Sequence, residues 1–285
     1  GFPVLLGRKE VIENKISELG FDVKKFEVHD LRTSEKAKKY AEKLHDKRKR
    51  KGVTIEIAEK LMNRRPNYFG SMMVETGDAD ALISGVSAFY PETIKPALEC
   101  IGVKEGISKV SGMHVVILKG KVFFLADTSV NINPTAEEIA EIAILAADEV
   151  KAFDITPSVA MLSFSDFGSV KDEESIKMRK ATMIVNKLRP DIQCDGEMTA
   201  DTAVDFDVLS QEYPFTTLQS RANVLIFPNL SSGNIMYKLM SKLAAASVIG
   251  PIMLGMNKPV HLLQRNASVD DIINMSSIAV VDAAN

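Results

Sequence analysis

The stretch Val159-Ala-Met-Leu-Ser-Phe-Ser-Asp-Phe-Gly-Ser169 decides the fold class of this chain. The run Val159–Ser163 is short and mostly apolar on both faces, as expected for a parallel strand buried under helices. Hydroxyl- and glycine-rich residues follow it and lead into a helical pattern at Asp172–Leu188. A strand, a small-residue turn and a helix in this order predict an α/β protein with a largely parallel sheet.

The same alternation extends along the chain in both directions. Short apolar runs predict further strands at Pro3–Leu6, Ala81–Ser84, Val224–Phe227, Ile252–Leu254 and Ile278–Val281. Amphipathic stretches predict helices, among them Ser34–Lys51, Thr135–Lys151 and Asn234–Ala246. The sequence Thr135-Ala-Glu-Glu138, directly after Pro134, has the form of a capping box and predicts where one helix begins.

One segment departs from this alternation. The β-type runs His114–Leu118 and Lys121–Ala126 are separated by Lys119-Gly120, which predicts a hairpin. We expect it to form an antiparallel ribbon or edge pair inside an otherwise parallel fold.

The composition excludes several classes of protein. The chain has 285 residues and a net charge of −3, whereas nucleic-acid binders usually carry a clear basic excess. No apolar run approaches the roughly 18–20 residues that span a membrane. Cys100 and Cys194 stand in no metal or redox spacing, which favours a reducing, cytoplasmic compartment. The histidines form no metal-binding motif either.

The start of the chain is unusual. It opens with Gly-Phe-Pro-Val-Leu-Leu rather than Met, already inside a strand-like run, and no signal peptide is visible. We interpret the chain as a piece of a longer polypeptide, although removal of Met or truncation would give the same start.

Two turns are candidates for ligand binding. The segments Ser163–Ser169 and Phe227–Asn234 both follow a predicted strand and precede a helix, the second of which carries Tyr237 and Lys238. Such turns expose backbone N–H groups to an anion or a carbonyl oxygen, at the strand ends where open α/β sheets bind ligands. The alternative for either turn is an ordinary capped surface turn.

Other motifs admit two interpretations each. The run Lys47–Gly52 fits a solvated helix end with Gly52 at C′, or an anion site for the phosphates of a nucleotide-like ligand. Asp201 and Asp205 share a predicted helix face near Glu197 and Asp207, as a carboxylate cluster or as a solvated face. The segment Gly250–Gly255 lacks the ending of a P-loop, and no dinucleotide-binding fingerprint is present.

Together these segments resemble the phosphate acetyl/butyryltransferase family along essentially the whole chain. The matching stretches include Lys49–Gly52, Tyr68–Val74, Gly77–Asp80, Phe124–Thr128 with Asn131 and Pro134, Val159–Ser165, Gly168-Ser169, Asp195–Glu197, Ala222–Pro228, Gly233–Ile235, Tyr237-Lys238, Gly250–Ile252 and Pro259-Val260. The resemblance implies two three-layer α/β/α lobes of isocitrate/isopropylmalate-dehydrogenase type, a dimer, and a cleft for CoA and acyl phosphate. It places the first lobe at residues 1–112 with 249–285 and the inserted second lobe at 113–248.

The resemblance also implies a set of residues lining an acetyl-CoA cleft, with no metal and no cofactor in this domain. They are Tyr90, Thr128, Ser165, Gly168, Ser169, Pro228, Asn234, Lys238, Gly255, Gln264 and Arg265.

The departures from the family pattern concern its catalytic positions. Catalytic members carry Asn-Asp-Leu-Ser-Arg-Gly where this chain has His261–Asn266, so Gln264 replaces the serine while Arg265 and the downstream Asp271 remain. The His-Thr loop becomes Ala88–Glu92 and an arginine becomes Lys95. The family's Ser-Thr-Lys-Gly-Ser turn gains Asp166 and Phe167 in place of a threonine and a lysine. Each charge-assisted bond lost from an anion pocket is worth about 1.5–3 kcal/mol, whereas CoA uses other contacts.

These substitutions, and the closing Ile278-Ala-Val-Val-Asp-Ala-Ala, are similar to the C-terminal domain of large bacterial malic enzymes. That resemblance implies a domain that senses acetyl-CoA, inhibits malate decarboxylation and forms homodimers or larger assemblies. NADP and a divalent metal would bind only in the malic-enzyme module, outside this sequence. An active phosphate acetyltransferase is the alternative, and a dinucleotide-dependent dehydrogenase is a third hypothesis that rests on shared architecture alone.

Overall fold

The computed structural model describes residues 1–86, 90–265 and 267–284. Its strands are β1 Val4–Leu6, β2 Glu27–His29, β3 Leu82–Ser84, β4 Ser111–Leu118, β5 Lys121–Ala126, β6 Ser158–Leu162, β7 Gln193–Met198, β8 Val224–Ile226, β9 Ser247–Leu254 and β10 Val260–Leu262. Its α-helices are α1 Lys9–Glu18, α2 Lys36–Arg48, α3 Ile55–Arg64, α4 Pro66–Thr76, α5 Tyr90–Cys100, α6 Ala136–Ala152, α7 Glu173–Leu188, α8 Ala200–Val204, α9 Phe206–Glu212, α10 Leu230–Leu243 and α11 Val269–Ala284.

The chain divides into two compact units. The first comprises Gly1–Lys104, Met256–Ser268 and Ser276–Ala284, and the second comprises Glu105–Gly255 with Val269–Met275. Residues 249–255, expected in the first lobe, belong to the second unit because β9 pairs with β4 over Ser111–Ile117. Residues 105–112 likewise join the second unit, where β4 begins.

The second unit is built on a six-stranded sheet with the order β7-β6-β8-β5-β4-β9. Strands β7, β6, β8 and β5 are parallel, while β4 is antiparallel to both β5 and β9. On one face, Leu125, Ala160 and Leu225 pack in a core with residues of α8, α9 and α10. The alternate residues of these strands are also buried, on the face toward α6 and α7. The unit therefore has three layers, with helices on both faces of the sheet.

One local prediction is confirmed in part and another fails. The Lys119-Gly120 hairpin is present as an antiparallel pair, with both residues at positive φ, but it does not lie at an edge, because β5 continues the parallel sheet through β8 and β4 pairs with β9. The predicted strand Ile278–Val281 is part of α11. A four-residue apolar run cannot distinguish strand from helix, and the buried pair Met275 and Ala279 has the four-residue spacing of a helix.

The first unit contains two short parallel strand pairs, β1–β2 and β3–β10, within a largely helical core. Helix α4 packs directly on the strands at Gly70, where a Cβ atom would lie 2.9 Å from the Leu82 side chain. The predicted helix Ser34–Lys51 is α2 followed by a 3₁₀ turn at Lys49–Lys51, and Gly52 ends it at φ 81° as predicted for C′. Within the described part of the chain, no helix is long and apolar enough to cross a membrane.

The capping box predicted at Thr135 is present. The Thr135 hydroxyl accepts from the Glu138 backbone N–H, and the Glu138 carboxylate accepts from the Thr135 N–H at 2.9 Å. It satisfies two N–H groups that the first turn of α6 leaves without helical partners.

We expect Thr135→Ala to lower the free energy of unfolding by about 1 kcal/mol, because the capping hydroxyl is lost. Thr135→Ser retains the hydroxyl and is the matched control, for which we expect little change. Urea denaturation followed by circular dichroism measures both. Equal loss in the two variants would show that the hydroxyl does not stabilise α6.

Candidate functional site

The second unit gathers most of the predicted ligand residues at one edge of its sheet. The register aligns Ala126 of β5 with Ile226 of β8, and Ile226 with Met161 of β6. The carboxyl ends of these strands therefore meet at one edge, where open α/β sheets bind ligands. Antiparallel pairing brings the end of β9 to the same edge. The predicted residues that follow these strand ends are Thr128, Ser165, Gly168, Ser169, Pro228, Asn234, Lys238 and Gly255.

A buried carboxylate organises the turn after β5. Asp127 is 3% exposed, and its Oδ1 accepts from the backbone N–H groups of Gly112, Ser129 and Val130. Its Oδ2 accepts from the backbone and the side-chain amide of Asn131 at 2.8 and 2.6 Å. Five N–H donors compensate the cost of burying a carboxylate and fix the backbone of the turn that contains Thr128.

The Thr128 side chain is held by a buried histidine. Thr128 Oγ1 lies 2.7 Å from His114 Nδ1 and donates its hydrogen to the Gly112 carbonyl at 3.0 Å. The imidazole must therefore supply the hydrogen of the His114 contact, which fixes the tautomer with hydrogen on Nδ1. The ring stacks on Tyr237 of α10 with centroids 3.9 Å apart. Burial, together with the smaller effect of the positive charge of Lys238, lowers the pKa of His114 to about 3.

The backbone N–H groups of the turn after β6, which were predicted to be available to a ligand, are bonded to acceptors of the protein itself. The backbone N–H groups of residues 166–170 donate to Ser169 Oγ, the Glu197 carbonyl, Glu197 Oε1, the Asp166 carbonyl and Ser165 Oγ, respectively. Ser165 is buried and lies 3.0 Å from Ser169 through their hydroxyl oxygens. The expectation that this turn exposes free N–H groups is therefore wrong for residues 166–170.

An ion pair between the buried Glu197 and the partly exposed Arg179 supports this turn. Both oxygens of Glu197 accept from the Arg179 guanidinium at 2.9 Å, and Oε1 also accepts from the Gly168 N–H at 2.7 Å. Burial raises the pKa of the Glu197 carboxyl, but the bonds from Arg179 and Gly168 outweigh this effect, so the net pKa is lowered. Glu197 thus acts in structure, not in a carboxylate cluster.

The two substituted residues of this turn have local partners. Asp166 Oδ1 accepts from the backbone N–H of Thr199 at 2.8 Å, at the start of α8. Phe167 has φ 43°, a conformation rare for a bulky residue, and its ring packs 4.9 Å from Tyr213 and 5.0 Å from Phe215. An aromatic cluster therefore occupies the turn at the position where the family motif has a lysine.

The turn that precedes α10 is a capped helix start. Asn229 Oδ1 accepts from the Ser232 N–H at 3.0 Å, and the Leu230 N–H donates to the Ile132 carbonyl. Gly233 lies against the turn after β5, because a Cβ atom there would be 2.5 Å from the Asp127 carbonyl oxygen. One residue later, the Asn234 side chain donates to the Thr128 carbonyl at 3.2 Å. Thr128 and Asn234 are thus brought into direct contact.

Three predicted ligand residues belong to the first unit. Gln264 and Arg265 are exposed and follow β10, which pairs with β3 through Val260–Leu262. Gly85 after β3 has φ 131°, and a Cβ atom there would overlap the Leu263 carbonyl, so this approach requires glycine. The third, Tyr90, begins α5, whereas Asp271 lies in the first turn of α11 and belongs to the second unit. Residues 87–89 of the substituted loop lie outside the described residues.

Ion-pair partners and positions in the fold help to decide between the interpretations of the charged motifs. Lys47 pairs with Glu75, Arg48 with Glu99 and Lys49 with Asp46, so three cations of the run Lys47–Lys51 are engaged internally. Asp205 ends α8 and caps α9, so it does not share a helix with Asp201 as predicted. The segment Gly250–Leu254 lies within β9. Among the residues with described positions, no group of His, Cys, Asp and Glu could hold a metal ion.

Sequence reasoning did not find the roles of the residues that organise this edge, and it named Glu197 only as part of a possible carboxylate cluster. Asp127 and Glu197 lie inside matching stretches, Phe124–Thr128 and Asp195–Glu197, so their motifs were the available signal. His114 and Arg179 lie in no such stretch, and nothing in the sequence pairs them with Thr128 and Glu197.

Comparison with known proteins places this geometry in a family. A family model described as phosphate acetyl/butaryl transferase matches residues 1–280. A phosphate acetyltransferase of Clostridium acetobutylicum is 41% identical, with 98% of this chain and 86% of that protein covered. The NADP-dependent malic enzyme of Escherichia coli is 38% identical, with 99% of this chain but 38% of that protein covered.

A solved structure gives the same result for the fold. The crystal structure of a phosphotransacetylase from Streptococcus pyogenes matches with a TM-score of 0.93 and 38% identity, covering 99% of this chain and 86% of that one. The predicted three-layer α/β/α fold of phosphotransacetylase type is confirmed.

His114 makes stability depend on pH. Its pKa of about 3 in the folded chain lies below the usual value of 6.5, so below pH 6.5 the unfolded chain takes up a proton that the folded chain does not. Stability is thus retained above pH 6.5 and is lost as pH falls toward 3, by about 2 kcal/mol at pH 5. We expect His114→Phe to remove this part of the pH dependence in urea denaturation between pH 5 and 7.5. Parallel curves for the two proteins would contradict this account.

Proposed function

The chain belongs to the phosphate acetyl/butaryl transferase family, and on that premise we propose that it binds acetyl-CoA as the regulatory domain of a malic enzyme. In this function acetyl-CoA is an allosteric inhibitor of malate decarboxylation to pyruvate and CO2, and the acetyl group is not transferred. NADP and a divalent metal serve the malic-enzyme module of the longer chain.

The observation that carries the proposal is Gln264 at the serine position. It is exposed at the end of β10, next to the retained Arg265. A hydroxyl donates and accepts through one oxygen and can pass a proton on, whereas a carboxamide has its donor and acceptor on separate atoms, so it does not replace the hydroxyl in proton transfer. Arginine keeps a fixed cation at the same place.

The turn after β6 supports the same proposal. Phe167 packs into an aromatic cluster instead of presenting a cation, and the Asp166 carboxylate adds negative charge beside it. Both changes disfavour inorganic phosphate and acetyl phosphate, which need cationic donors. Thr128, Asn234 and Lys238 are unaffected, and they are the residues we assign to the CoA thioester.

The link to malic enzymes rests on a second departure. His261 replaces the family's asparagine, and its Nε2 lies 2.7 Å from Asp282 Oδ2 in the closing segment of α11. The closing segment and His261 are both features of the malic-enzyme resemblance, and the contact joins them. The malic enzyme of E. coli supports this proposal, since the chain covers 38% of that protein. Buried, unpaired Cys100 and Cys194 are compatible with a cytoplasmic location.

The second candidate function is an active phosphate acetyltransferase. The 41% identity with the Clostridium acetobutylicum enzyme, 86% of which is covered, favours it. Arg265 and Asp271 are retained from the catalytic motif. In this function the chain converts acetyl-CoA and phosphate to acetyl phosphate and CoA.

Ligand binding and turnover separate the candidates. We expect acetyl-CoA at about 100 times its Kd to add roughly 2.7 kcal/mol to the stability of the purified chain, and NADP to add none. Acetyl phosphate formation from acetyl-CoA and phosphate should be undetectable. Robust formation would overturn the proposal in favour of the transferase. Gln264→Ser is the matched variant. If only this variant forms acetyl phosphate, Gln264 is the residue that prevents turnover.

Allostery is tested in the full-length chain with its upstream module. Acetyl-CoA should inhibit malate decarboxylation, and malate should change acetyl-CoA affinity by the reciprocal factor. A gene that encodes no malic-enzyme module upstream of Gly1 would contradict this assignment.

We also propose that the chain forms homodimers or larger assemblies. On α10, Ile235, Leu239 and Leu243 follow each other at four-residue spacing, and they are 58%, 48% and 81% exposed. Such an apolar stripe on a helix is typical of an interface between subunits.

We expect Leu239→Glu with Leu243→Glu to shift the chain toward monomer, because each carboxylate would have to be buried in the interface. Light scattering after size-exclusion chromatography measures the mass. The control is Leu188→Glu at the exposed end of α7. A mass unchanged by the α10 changes, or a monomeric unmodified chain, would contradict the stripe as the interface.

A further inference from the structure

A closed circuit of contacts joins three of the residues assigned to acetyl-CoA. His114 on β4 bonds the Thr128 side chain after β5, and the Thr128 carbonyl accepts from Asn234 on α10. Tyr237, one turn further along α10, stacks back on His114, and Lys238 is the next residue. All of these residues belong to the second unit.

We propose that His114 is a positioning residue: it sets the relative placement of Thr128, Asn234 and Lys238 that receives the CoA thioester, without contacting the ligand. The inference rests on the proposed acetyl-CoA binding. It makes the affinity of this edge for acetyl-CoA depend on a residue that lies outside the set of ligand residues.

The role requires an imidazole rather than a ring or a donor alone. A ring is needed to stack on Tyr237, and an N–H at the δ position is needed to reach Thr128 Oγ1 at 2.7 Å. Phenylalanine supplies only the ring, and asparagine supplies only the N–H donor. No other natural side chain of this size supplies both.

The surroundings hold the ring in one state. Nε2 is buried and has no hydrogen-bond partner among the residues that the structure describes, so a charged ring would carry an unpaired N–H next to Lys238. At Gly250 a Cβ atom would lie 2.8 Å from the His114 ring, so the backbone of β9 packs against its edge. The imidazole is thus neutral, packed on one face and at one edge, and fixed in tautomer.

The consequence for the ligand edge follows from these contacts. The stack on Tyr237 sets the rotation of α10, which determines where the exposed Lys238 side chain is presented. The bond to Thr128 sets the rotamer of that side chain. Loss of either contact leaves the strands intact but releases ligand residues that were preorganised, and affinity falls as a result.

The test is a double-mutant cycle read out by acetyl-CoA binding. Isothermal titration should give a Kd about tenfold higher for His114→Phe, the equivalent of one hydrogen bond of about 1.4 kcal/mol. Thr128→Val should have a similar effect, and the double variant should bind no worse than either single one, because both remove the same bond. Thr128→Ser keeps the hydroxyl and should restore the original affinity.

Stability is measured in parallel so that a merely structural role is recognised. His114→Asn keeps a donor toward Thr128 but loses the stack, and it provides a second variant if His114→Phe does not fold. Phe153→Leu is the control, because Phe153 stacks on Phe124 beyond the C-terminus of α6 and should lose stability with unchanged Kd. The ¹⁵N shifts of His114 should show hydrogen on Nδ1 at neutral pH.

The outcomes distinguish this inference from the proposed function. No acetyl-CoA binding by the unmodified chain overturns both. Binding by the unmodified chain with an equal Kd in His114→Phe overturns the positioning role alone. Additive effects of His114→Phe and Thr128→Val also overturn it, since the two side chains would then act separately.

Discussion

The five N–H groups that converge on the Asp127 carboxylate are the constraint on which the ligand edge of the second unit depends. They come from the start of β4 and from the turn after β5, so two strands and a turn share one buried anion. A buried carboxylate without these donors would cost several kcal/mol, which excludes other conformations of the turn. Because Gly233 packs against the Asp127 carbonyl, the start of α10 is held to the same point. The backbone path around Thr128 and the start of α10 follows from that one carboxylate, whereas the Thr128 side chain bonds His114 and the Gly112 carbonyl.

The residues of the turn after β6 that depart from the catalytic pattern make contacts only with nearby parts of the second unit. Asp166 is used by the start of α8, and Phe167 is used by the aromatic cluster around Tyr213. Neither contact reaches the circuit of His114, Thr128 and Asn234. Gln264 belongs to the other unit altogether. The family's catalytic residues can therefore be replaced one by one while the contacts that order the edge of the sheet persist, which is the physical basis for separating ligand binding from turnover.

Local chemistry was predictable from the sequence, and long-range partnership was not. The capping box at Thr135 and the strand Ser158–Leu162 depend on residues within a few positions, and both are present. Strand β7 was not predicted because Gln193–Met198 contains two charged residues, Asp195 and Glu197. Their carboxylates accept from Thr217 and Arg179, which are distant in the sequence. The internal bonding of the backbone N–H groups in Ser165–Val170 could not be predicted, since their acceptors include Glu197, about 30 residues away. Whether the predicted ligand residues bind acetyl-CoA stays a prediction.

The contact between His261 and Asp282 bears on how a domain of this family can lose acetyltransferase activity. His261 lies in the motif that carries Gln264, and Asp282 lies in the helix that ends the chain. His261 is buried and Asp282 is largely buried, so each offsets part of the desolvation cost of the other. A return to the catalytic motif at position 261 would therefore remove the partner of Asp282. The motif and the closing helix constrain each other, so restoring the serine at position 264 alone leaves the rest of that constraint in place.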